Sequence, residues 1–109
     1  MTIESDQSQV CLDAFFSCQL LLKTLAGKEN FPIKINVLLN ECAHICVGTF
    51  YAIKHASVNA PRMAFLCMGI CEECAEVCES FDGNIYRQCA EACRYCSSNL
   101  QHLAVQSLD

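Results

Sequence analysis

Glycine and proline are scarce, four and two in 109 residues. Strand-rich domains need frequent turn residues, so this scarcity argues against an all-β fold. Tryptophan is absent, and positive charge is thin: seven Lys and Arg stand against twelve Asp and Glu, for a net charge of −5. No basic run is present to neutralise a phosphate backbone, which removes nucleic acid as a partner. The chain also lacks the uninterrupted apolar stretch of ~18 residues that a membrane span requires. The opening MTIESDQSQV is polar and acidic where an export signal is basic and then apolar, so a cytoplasmic location is expected. Neither a Ser/His/Asp constellation, a glycine-rich phosphate loop nor a paired-carboxylate pocket is visible. The chain therefore reads as a binding protein, not an enzyme, with no catalytic residue to assign.

What it has in excess is cysteine: eleven, about one residue in ten. The length suits one compact domain over residues 1–109. Chains of this size with so much cysteine are disulfide scaffolds outside the cell or metal-thiolate proteins inside it. An odd number rules out complete internal pairing, and the absence of an export signal favours the reducing compartment.

Four apolar segments are separated by short breaks. The first runs from about Ile3 to Ala26 and stops at Gly27, with Gly27-Lys28-Glu29-Asn30-Phe31 as a polar connector. Pro32 suits the first turn of a second helix reaching Lys54 or His55. Ser57 to Pro61 is the next break, and Pro61 opens a third helix to Ser80. Asp82-Gly83 marks a turn, and the last helix spans about Ile85 to Leu103, with frayed residues after Ala104. Helices of roughly 18 to 24 residues joined by short connectors pack against antiparallel neighbours. The expected fold is all-α, an antiparallel up-down-up-down four-helix bundle.

The cysteines follow the helical period. Cys67, Cys71, Cys74 and Cys78 form C-x3-C-x2-C-x3-C, which falls within an arc of roughly 60° on a helix. Glu72, Glu73, Glu76 and Glu79 occupy the opposite, solvated side. Cys89, Cys93 and Cys96 repeat the pattern, with Leu100 in the fourth place. Cys42 and Cys46 share a seam with Ile35, Leu39, Thr49 and Ile53. Cys11 and Cys18 lie on the first helix, with Phe15 between them and Leu22 after them. Every cysteine thus sits on an inward seam, giving a cysteine-lined core.

Reduced cysteine is a small hydrophobe, and burial of any one needs no function. Eleven on four seams do, because Leu, Ile or Val would bury more area at about 25 cal/mol per Å². Disulfides within a helix fit poorly: Cβ atoms at i and i+4 are about 5–6 Å apart, against about 3.8 Å in a disulfide. The C-x-x-C pairs Cys71/Cys74 and Cys93/Cys96 lie mid-helix, away from the helix N-terminus that lowers a reactive thiol's pKa. Metal suits the spacing better, since metal–sulfur bonds of roughly 2.3 Å bring two sulfurs to about 4.6 Å across a linear ion. Soft thiolates select Cu(I), Zn or iron–sulfur clusters. Zinc prefers knuckles on loops, which are missing here. A [4Fe–4S] cluster in one layer of the bundle is the alternative, drawing on Cys18, Cys42 or Cys46, Cys71 or Cys74, and Cys93 or Cys96. That reading makes the chain a redox or electron-transfer protein.

The seams Cys67/Cys71/Cys74/Cys78 and Cys89/Cys93/Cys96, with the strings CAEVCESF, CAEACRYC and ECAHIC, resemble the four-helix-bundle copper-storage proteins of bacteria, in their cytosolic branch. The resemblance implies a thiolate-lined interior holding several Cu(I) ions per chain, for storage and buffering of the metal. It makes Cys11, Cys18, Cys42, Cys46, Cys67, Cys71, Cys74, Cys78, Cys89, Cys93 and Cys96 the expected ligands. It also implies a homo-oligomer, a tetramer. Relative to the family, this chain is cysteine-poorer: its first helix carries C-x6-C, and Leu22, Leu39, Ile53 and Leu100 stand at seam positions, so a reduced capacity is expected.

Met63, one turn before Cys67, is a candidate thioether step for entering Cu(I) or else a gap-filler at the core end. His44, His55 and His102 fall away from the seams and read as surface or inter-subunit residues. Phe15, Phe16, Phe50, Tyr51, Phe65 and Tyr95 read as core ends and subunit contacts.

Overall fold

A computed structural model describes residues 3–28 and 32–108. The connector residues 29–31, expected to be polar loop, lie outside them. Four helices account for most of the chain: α1 (Ile3–Leu25), α2 (Ile33–Lys54), α3 (Ala60–Glu79) and α4 (Asn84–Ala104). A 3-10 turn, Val105–Leu108, follows α4 where fraying was expected; it packs back on α3 and α4, and Ser107 Oγ donates to the Ala104 carbonyl at 2.8 Å. No strand occurs among the described residues.

Buried positions recur at spacings of three and four. On α1 they are Cys11, Ala14, Cys18, Leu21 and Leu25; on α2 Ile35, Leu39, Cys42, Cys46 and Thr49. On α3 they are Ala60, Ala64, Cys67, Cys71, Cys74 and Cys78, and on α4 Cys89, Cys93, Cys96, Leu100 and Ala104. This spacing keeps one seam of each helix facing its partners, the condition for bundle packing. Each helix packs on the next and α4 closes onto α1, with no backbone approach across either diagonal among the described residues. Sulfur pairs give the directions. Cys46 meets Cys67 while Cys42 meets Cys71, and Cys11 meets Cys96 while Cys18 meets Cys89, so α2/α3 and α1/α4 run antiparallel. The expected up-down-up-down bundle is the fold.

The first helix departs from expectation in detail. Ala14 is the buried residue between the two thiols, and Leu21 and Leu25 follow them; Phe15 and Leu22 are only half-buried. From Cys11, Ala14 and Cys18 follow at three and then four residues, whereas Phe15 sits one position round the helix from that line. Ile53 on α2 is likewise half-buried. The aromatics expected at core ends are not buried: Phe16, Tyr51, Phe65 and Tyr95 are exposed, and Phe15 and Phe50 are partly covered. A stacked Phe81–Tyr86 pair, with ring centroids 4.8 Å apart, packs on the core at the α3–α4 turn instead.

Three backbone positions, Gly27, Ala56 and Gly83, end or join helices in the left-handed half of conformational space. Gly83 precedes α4 at φ 132° and ψ 148°, a region open to glycine alone. Beyond α2, Ala56 has φ 53°, while the Ser57 amide donates to the Ala52 carbonyl at 2.9 Å and the Ala56 amide to that of Ile53 at 3.2 Å. These are the two bonds of a Schellman cap, with alanine where glycine is usual. Ala56→Gly is expected to raise, and Gly83→Ala to lower, the stability of the metal-free protein by about 1 kcal/mol or somewhat more, read from denaturant midpoints.

Candidate metal centre

All eleven cysteines are free and buried. Their sulfurs form one connected thread through the middle of the bundle. Cys11 and Cys96 are 3.9 Å apart at one end. Cys46 lies 3.8 Å from Cys67 and 3.6 Å from Cys71, and Cys67 lies 3.9 Å from Cys71. Cys42 continues the thread at 4.0 Å from Cys46, 3.8 Å from Cys71 and 3.8 Å from Cys93. Cys18 and Cys89 are 3.8 Å apart toward the far end. From Cys67 to Cys78 the α3 seam alone rises about 16 Å.

Three groups of sulfurs lie mutually within 4.8 Å: Cys18/Cys42/Cys74/Cys93, Cys46/Cys67/Cys71/Cys96, and Cys74/Cys78/Cys89. The first takes one thiol from each helix, the layer that the iron–sulfur alternative requires. Its sulfurs are drawn close enough to share single ions. A cubane cluster, whose four cysteines point outward from four separate irons, needs a wider cage. Nothing in the arrangement supports that alternative.

The thread is flanked by hydrocarbon at one end and a more mixed set at the other. Leu21, Leu25, Ile35, Leu38 and Leu39 close the end beyond Cys18 and before Cys42. Beyond Cys46 and Cys96 lie Thr49 and Leu100, and before Cys67 lies Ala64. Thr49 Oγ1 donates to the Ile45 carbonyl at 2.7 Å. Ser8 and Ser97 are buried too; sequence reasoning passed over both, because a lone serine carries no distinguishing pattern. Met63 is half-buried on α3, and a Cβ at Gly48 would stand 3.1 Å from its Cε, so it leans onto α2. His44, His55 and His102 are exposed, as their spacing implied. His44 Nδ1 is 2.7 Å from the Asn40 carbonyl and the His55 ring stacks on Tyr51. Outside the core, Arg94 ties α4 to α3 through Glu72 and Glu79, holding the Glu79 carboxyl below its ordinary pKa.

The thiols share protons unevenly. Cys18 is pushed up, chiefly by its hydrogen bond to Cys42, and Cys71 and Cys46 are raised by theirs to the same residue. Cys11 is raised by its bond to Cys67. The recipients move the other way: Cys42 and Cys74 are lowered by Cys18, and Cys67 and Cys96 by Cys11. Burial raises every one of these thiols. Adjacent bare thiolates repel in a medium of low dielectric, so the raised thiols keep their protons until another cation replaces them.

Comparison with known proteins agrees with this chemistry. No curated protein sequence matches the chain significantly. Among solved structures, Cu(I)-bound copper storage protein BsCsp3 superposes with a TM-score of 0.87 at 24% identity, over 94% of this chain and 98% of that one. Apo-Csp3 (copper storage protein 3) from Bacillus subtilis gives 0.85 at 25% identity, over 91% and 96%. The profile of the Csp family, copper storage protein, matches residues 4–105, nearly the whole of the bundle with all eleven cysteines, and the chain belongs to that family.

Proposed function

We propose that this chain stores and buffers Cu(I) in the cytoplasm, as a single bundle domain whose eleven cysteines, Cys11 to Cys96, are the ligands. The observation that carries the reading is the thread of buried sulfurs with neighbours 3.6 to 4.8 Å apart inside helical walls. With metal–sulfur bonds of roughly 2.3 Å, sulfurs around a trigonal ion stand about 4.0 Å apart, and around a linear one about 4.6 Å. Small rotamer changes reach either arrangement. Sulfur shared between ions allows up to about one Cu(I) per thiol, and each univalent ion replaces a proton without adding net charge to the core. So many reduced thiols in mutual contact also suit a reducing compartment.

The role fits storage better than catalysis. Surface grooves, including one of about 660 Å³ lined by Asn36, Val37, Asn40, Glu41 and His44, contain no cysteine, and the sulfurs are sealed from substrate-sized molecules. No helix among the described residues is long and apolar enough to cross a membrane. Ions would enter at the end bearing Met63 and Thr49, opposite the leucine-closed end. Self-association, the tetramer the family resemblance implies, would cover exposed Phe65, Leu66 and Tyr95.

Anaerobic titration of the reduced protein with Cu(I) against a competing chelator is expected to saturate at several ions per chain, with a colourless product. Saturation below about two would overturn the reading. Loading is expected to weaken as pH falls, because protons compete for the thiolates. The metal-free fold should lose stability above pH 9. Cys11, Cys18, Cys46 and Cys71 hold their protons in the folded state beyond the ordinary thiol value of 9.0, whereas the unfolded chain ionises there. Contributions from the lowered Cys42, Cys67, Cys74 and Cys96 are already complete above that pH. Thermal melts of metal-free and copper-loaded protein from pH 7 to 11 should show the alkaline decline in the former only.

A further inference from the structure

The sulfur thread is not uniform. Two triangles on its α2–α3 side have every edge at 4.0 Å or less. Cys46, Cys67 and Cys71 form one, with edges of 3.8, 3.6 and 3.9 Å. Cys42, Cys46 and Cys71 form the other, with edges of 4.0, 3.8 and 3.6 Å, sharing the Cys46–Cys71 edge. A planar three-coordinate ion with bonds of roughly 2.3 Å needs edges of about 4.0 Å, so these triangles match it with almost no movement. The α1–α4 side offers open pairs instead, Cys11/Cys96 at 3.9 Å and Cys18/Cys89 at 3.8 Å. The wider groups that take in Cys18, Cys89 and Cys96 close only within 4.8 Å, so side chains there must contract further before they hold a trigonal ion. The cause lies in α1, where Ala14, fully buried, stands on the seam between Cys11 and Cys18.

We propose that the store is two-tiered. The edge-sharing triangles of Cys42, Cys46, Cys67 and Cys71 fill with Cu(I) first and empty last, and the thiols of the α1–α4 side hold a more weakly bound, faster-exchanging pool. The inference rests on the Cu(I)-storage reading above. Preorganised ligands bind more tightly because the reorganisation of the side chains is already complete in the free protein. The four triangle residues are fully sealed, and they lie on two consecutive antiparallel helices whose mutual position is held by the rest of the seam. The first ions added therefore meet a finished site, and later ones meet a site that their own binding must assemble. Such a chain keeps a small reserve while exchanging the remainder readily.

The test uses the full-length protein under anaerobic conditions, with copper(I) chloride as the metal source and a chromophoric Cu(I) chelator as competitor. Chelator extraction from the fully loaded protein should be biphasic, with about two ions per chain in the slow phase. Cys71→Ser and Cys46→Ser each break both triangles, and should weaken the first two ions at least tenfold and abolish the slow phase. Cys89→Ser should lower capacity and leave the first two ions unchanged. Single-phase extraction from the unaltered protein overturns the two tiers, a result that needs no variant to fold. Equal weakening in Cys71→Ser and Cys89→Ser does the same. Either result leaves storage intact, whereas an unaltered protein that binds fewer than about two ions defeats the storage reading itself.

Discussion

Sulfur held against sulfur inside helical walls is the condition on which the molecule is organised. A thiol core buries less hydrocarbon than a leucine core, and so contributes less hydrophobic stabilisation per residue. The bundle offsets this in two ways. Hydrocarbon layers at Leu21, Leu25, Ile35, Leu38 and Leu39 anchor one end, and Leu100 sits at the other. Small residues, Ala14, Ala43, Ala64, Ala75 and Ala90, let the backbones approach along the middle. That approach brings thiols from different helices to 3.6–3.9 Å, a separation that a core of larger side chains would prevent.

The same closeness governs the electrostatics. Each thiolate in the thread has another thiol as its neighbour, and the described core holds no buried cationic side chain to balance it. A proton on one sulfur stabilises charge on the next, which is why Cys18 rises as Cys42 falls. Univalent copper substitutes for those protons one for one. The chain is thereby suited to accept many ions without accumulating charge in a medium where charge is expensive.

Helical walls make the cavity permanent. Backbone donors and acceptors of α1 to α4 are satisfied within each helix, so none competes for a metal or needs one to fold. This separates the protein from small domains that fold around zinc. It also places the thiols on rigid elements rather than on loops, so differences among sulfur positions arise from side-chain identity along the seams. Ala14 in place of a thiol is the clearest such difference.

The periodic placement of cysteine was legible from residues alone, because a period of three and four dictates one face of a helix whatever packs against it. Fold class, helix limits to within two residues, and the inward direction of all eleven thiols followed from it. The phase of α1 did not: Phe15 and Ala14 are adjacent, and only the packing of α2 and α4 against that helix decides which one faces the core. The Ala56 cap was hidden for a similar reason, since alanine announces no turn and is held at φ 53° by the chain on either side. Which sulfurs stand together was also beyond a single helix's pattern. Heptad spacing orders thiols along each seam, but the axial offset between helices, set by connectors and end layers, brings Cys46 to 3.6 Å from Cys71 and leaves Cys18 beside Cys89. Membership of a face is a local property of the chain; distance between faces belongs to the assembled bundle.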